Sequence, residues 1–108
     1  MLIASATCAW AAAYAEDTVR DIGRMHGEAS ELAAGCPAAT YDPEGQRLGA
    51  ELAQHGVVLS DEAWDAIAAG VLAAEKEVAG LSENQICKLA LERYGPNGTE
   101  KPGLIEFE

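Results

Sequence analysis

The sequence predicts an all-α protein, a small four-helix bundle with no sheet. Three observations carry that expectation. Apolar residues recur at three- and four-residue spacing over most of the chain. Helix-start signatures stand ahead of those runs. The one strand-like stretch, Val57-Val58-Leu59, has no convincing partner. The length of 108 residues suits one domain with one modest core.

Residues 1–15 carry no charged side chain, and Glu16-Asp17 then opens a charged stretch. Ala13-Tyr14-Ala15 has the small-x-small form of a signal-peptidase site, so 1–15 reads as the tail of a secretory signal, and 16–108 as a single helical domain. The basic n-region of a signal is missing, since no Lys or Arg precedes the run. The competing reading is an Ala-rich first helix, since Ile3, Ala6, Trp10 and Ala13 also fall at helical spacing. The run is too short to span a bilayer, which takes about 20 apolar residues.

The first helix of the domain is expected near 17–35. Ile22, Met25, Ala29, Leu32 and Cys36 make one stripe, and Gly35 and Pro37 end it. Gly23 and Gly27 weaken this helix unless they serve a close helix approach. After a loop at 37–42, Asp42-Pro43-Glu44 reads as a helix start, giving a short helix near 43–55 with Leu48 and Leu52 inward and Gly56 as its stop. Ser60 caps a third helix near 61–79, with Asp61 and Glu62 in its first turn. Its buried face is expected to hold Trp64, Ile67, Ala68, Val71, Leu72, Glu75 and Val78. Ser82-Glu83-Asn84-Gln85 is a capping box, and Leu81 with Ile86 forms a hydrophobic staple, so the fourth helix is expected near 83–94. Tyr94-Gly95-Pro96 stops it. The tail is turn-rich until Leu104-Ile105-Glu106-Phe107, whose apolar residues are expected to dock on the helices.

Of three cysteines, Cys36 and Cys87 lie in the domain and Cys8 in the first segment. An even pair in an exported chain suggests a Cys36–Cys87 disulfide that leaves Cys8 out. Without C-x-x-C, neither a thioredoxin-like site nor a zinc knuckle has support.

The search for chemistry leaves no catalytic, cofactor-binding or metal site. His26 and His55 are the only histidines and form no H-E-x-x-H; both read as partly exposed helix residues. P-loop, nucleophile-elbow and dinucleotide fingerprints are missing. Paired carboxylates such as Asp61-Glu62 read as helix-start charges. The chain is therefore not expected to be an enzyme. Eighteen acidic residues against seven basic ones give a net charge of −11. That argues against nucleic acid and anionic lipid as partners, and favours a basic protein.

The expected function is that of a small exported, acidic helical protein, periplasmic or secreted, acting by protein–protein contact as an accessory or structural component of an envelope or secreted assembly. It is expected to have no membrane span in the mature chain, and oligomers are compatible with it. The contact surface is expected on Trp64, Leu104, Ile105 and Phe107, rimmed by Glu62, Asp65, Glu106 and Glu108. Alternatives are a periplasmic stress chaperone, a ligand- or metal-binding helical module using His26 and His55, and a cytosolic subunit of a larger complex with an uncleaved N-terminal helix.

Overall fold

The computed structural model describes residues 2–108, with side chains from Thr18 onward. The signal segment expected at 1–15 therefore has its side chains, among them Cys8, Trp10 and Tyr14, outside the described residues. Four helices dominate: α1 (Leu2–Ala34), α2 (Arg47–Gln54), α3 (Asp61–Val78) and α4 (Glu83–Tyr94). Two short strands, β1 (Ala39–Tyr41) and β2 (Ile105–Phe107), complete the chain. No helix among the described residues is long and apolar enough to cross a membrane.

The absence of a sheet is the first expectation corrected. β1 and β2 pair antiparallel, with Ala39 opposite Phe107, Thr40 opposite Glu106 and Tyr41 opposite Ile105. The Asp42 N–H donates to Leu104 O, and the Glu108 N–H to Ala38 O, which extends the ladder at both ends. A ribbon of three-residue strands is too short to leave an alternating pattern in sequence. The tail does dock, as a strand.

The helix starts at Ser60 and Ser82 behave as their sequences dictate. Ser60 Oγ accepts from the Ala63 N–H at 3.4 Å. Ser82 and Gln85 form the reciprocal capping box, at 3.2 Å and 2.9 Å. The start of α2 is corrected: the helix begins at Arg47, not Pro43. Asp42 still serves it from a distance, because Asp42 Oδ2 accepts from the Arg47 N–H at 3.0 Å. Asp42 itself adopts φ +38°, left-handed backbone that aspartate tolerates better than most residues. Past α4, the Thr99 N–H bonds Glu92 O, and the Glu100 and Lys101 N–H groups share Arg93 O. The glycine-rich turn thus satisfies the helix's last carbonyls.

α1 is the spine. One core cluster joins it to α4 and the ribbon through Ala29, Leu32, Ala33, Ile86, Ala90, Tyr94, Leu104 and Ile105. A second joins it to α2 and α3 through Val19, Ile22, Leu52 and Ala63. Arg93 of α4 holds Glu28 of α1 at 2.6 Å and grips both carboxylate oxygens of Glu77 at the end of α3. The sulfurs of Cys36 and Cys87 stand at bonding distance, with Cα atoms 5.1 Å apart, and so tie the end of α1 to α4.

The buried face of α3 is the largest correction. Ala63, Ala66, Gly70 and Ala74 are buried, whereas Trp64, Ala68, Leu72 and Glu75 are exposed. Backbone proximity is the reason. A Cβ at Gly27 would strike Ile67 O, one at Gly70 would strike Arg24 O, and one at Gly23 would lie 2.6 Å from Ala66 Cβ. Helices this close admit only Gly and Ala between them, so the large apolar residues turn outward.

Candidate functional site

The two core clusters leave a polar seam on α1 at His26, which lies between Ile22 of one and Ala29 of the other. His26 is 1% exposed, so its expected partial exposure is corrected. Both ring nitrogens are engaged. Nε2 lies 3.0 Å from Glu51 Oε2 on α2, and Nδ1 lies 2.5 Å from Tyr41 Oη at the end of β1. A carboxylate only accepts, so Nε2 donates to Glu51. Nδ1 shares the second hydrogen bond with the Tyr41 hydroxyl. The rings of His26 and Tyr41 meet edge to face, with centroids 5.7 Å apart.

Burial raises the Tyr41 phenol to about 12, helped by the negative charges of Asp42 and Glu51 and opposed by Arg47. Glu51 is buried too, and its other oxygen faces Arg47 at 3.4 Å and Lys101 Nζ at 3.5 Å. A buried carboxylate requires such partners. The series carboxylate, imidazole, hydroxyl has the order of a nucleophile triad. Burial holds this phenol in its protonated form at neutral pH. The array acts as a clamp that fastens α1, β1 and α2 together.

Above the clamp lies an open pocket of about 400 Å³ lined by His26, Ser30, Tyr41, Asp42, Gly45, Leu48, Trp64 and Ile67. α1 supplies its floor, the 42–46 turn one wall and α3 the other. Trp64 borders it and is 55% exposed. Val58 and Leu59, just ahead of α3, are 78% and 45% exposed. Leu59 and Trp64 occupy the two positions of a hydrophobic staple around the Ser60 cap. A separate groove of about 530 Å³ runs beside β2, bounded by Pro43, Arg47, Leu91, Pro96 and Phe107.

The residues expected to form one contact surface are divided. Leu104 and Ile105 are core residues at 0% and 1% exposure, and Phe107 is half-buried beside β2. Only Trp64 is broadly open. His26 and His55 are not brought together: His55 is exposed past the end of α2. No cluster of three or more His, Cys, Asp or Glu able to hold a metal occurs among the described residues.

The clamp escaped sequence reading because Tyr41 and Glu51 lie 15 and 25 residues from His26. One signal was available. Glu51 shares a helix face with Leu48 and Leu52, and a carboxylate on the apolar side of a short helix requires a partner. No family model matches the chain, and no curated protein or solved structure matches it.

Proposed function

We propose that this chain is a small exported, acidic helical-bundle protein that acts by contact with another protein, as an accessory component of an envelope or secreted assembly. The contact is made through the start of α3. The observation that carries this reading is the open apolar group Val58, Leu59 and Trp64 at one helix entrance. Exposed apolar groups of this kind beside polar surroundings are typical of contact sites. Export is supported by the uncharged segment before Glu16 and by the Cys36–Cys87 pair at bonding distance, which suits an oxidising compartment.

Site-specific photo-crosslinking in the native source tests the contact. A photoreactive residue at Val58 is expected to yield a discrete adduct that Trp64→Ala abolishes while the helical circular dichroism stays unchanged. The same residue at Leu72, also exposed and on α3, is the control. Adducts that form alike from both positions, or that survive Trp64→Ala, overturn the reading. Mass spectrometry of the native protein tests export: it is expected to start at Glu16 and lack two hydrogens.

A further inference from the structure

We infer that the Trp64 pocket receives the cationic side chain of a basic partner, a lysine or arginine whose stem lies along Leu48 and Ile67 and whose charge meets Asp42. This deepens the contact reading above and rests on it. The lining supplies each element such a side chain needs. Trp64 and Tyr41 provide aromatic surface, and an indole is the best π partner for a cation. Leu48 and Ile67 offer apolar wall for the methylene stem. Asp42 is the one side chain in the lining that is a carboxylate, and it is 8% exposed.

That carboxylate is held in place. Its Oδ2 accepts the Arg47 N–H at 3.0 Å. No lysine or arginine lines the pocket to neutralise it. Arg47, next on the chain, is turned away toward Glu51 and the Pro102 carbonyl. His26 contributes no competing donor, since both its nitrogens are committed to the clamp.

The alternatives fit less well. An anionic ligand would meet Asp42 within a chain of net charge −11. A purely apolar side chain would cover the carboxylate and add no partner to its one bond from the Arg47 N–H. A cation satisfies it and gains the aromatic surface as well.

The test titrates the 15N-labelled full chain with the blocked peptide acetyl-Gly-Arg-Gly-amide, and with its citrulline analogue, which keeps the shape without the charge. The arginine peptide is expected to shift the Trp64 indole signal and the Asp42 and Gly45 amides, and the citrulline peptide to leave them in place. Asp42→Asn keeps an oxygen for the Arg47 N–H and is expected to weaken binding about fivefold. Glu75→Gln removes the same charge from an exposed site outside the pocket, and is expected to weaken it less than about twofold. Trp64→Leu replaces an exposed side chain and is expected to match Asp42→Asn; it decides the matter if Asp42→Asn fails to fold. Equal loss in Asp42→Asn and Glu75→Gln means a general field and overturns the proposal, as does an equal response to citrulline or a silent indole. Crosslinks from Val58 together with a silent indole would overturn the cation site and leave the contact reading standing.

Discussion

Replacing Gly27 with alanine isolates the contact between α1 and α3. Alanine favours a helix by about 1 kcal/mol over glycine, so propensity alone predicts stabilisation. The structure predicts the opposite, because the new methyl would meet the carbonyl oxygen of Ile67. Overpacking costs about 1–3 kcal/mol, and a backbone obstacle has no rotamer to relieve it, so the upper end applies. The net expectation is a loss of about 2 kcal/mol. With a urea slope of about 1.5 kcal/mol/M, the unfolding midpoint falls by more than about 1 M. Gly49→Ala is the internal control. It lies in α2, and nothing stands within 4 Å of its would-be Cβ. There only propensity acts, so the midpoint should rise by about 0.5 M. Far-UV circular dichroism reads both. A midpoint that rises for Gly27→Ala as it does for Gly49→Ala would refute the close approach of the two helices.

Two further outcomes follow from the covalent and ionic structure. Reducing the Cys36–Cys87 pair, which closes a separation of 51 residues, should cost roughly 4 kcal/mol on the chain-entropy model and lower the melting temperature clearly; Cys36→Ala/Cys87→Ala should reproduce that loss and no longer respond to reductant. The Tyr41 phenol is raised by folding, so its contribution is complete below the unfolded value near 10 and disappears as pH rises through about 12. Urea midpoints should therefore fall between about pH 10 and 12, and Tyr41→Phe should flatten part of that slope, with Tyr94, also raised by burial, keeping the remainder.

Legibility followed the range of the interaction. The bounds of α3 and α4 could be read because Ser60, Ser82 and Gln85 bond within their own turn. The start of α2 was misplaced because Asp42 reaches its helix across a turn instead of capping it directly. The inward face of α3 was misassigned because hydrophobic pattern ranks Trp64 and Leu72 above Gly70 and Ala74, whereas the closeness of α1 selects for size. The ribbon was invisible because three residues carry no period. The candidate site was half legible. Trp64 stood out, but the clamp beneath it joins residues from three elements, and the inward Glu51 was the only hint in the sequence that one existed.

The ribbon also sets the order in which the chain can finish folding. β1 is synthesised long before β2, yet Ala39 has its ladder partner only when Phe107 arrives. Leu104 and Ile105, which fill the core between α1 and α4, come equally late, and the Arg47 guanidinium waits for the Pro102 carbonyl. Loop-closure entropy is charged before any of these contacts is gained. A nascent chain that has emerged only as far as Gly103 can therefore close the core between α1, α2 and α3, but not the one between α1 and α4. The core between α1 and α4 locks only when β2 emerges to pair with β1.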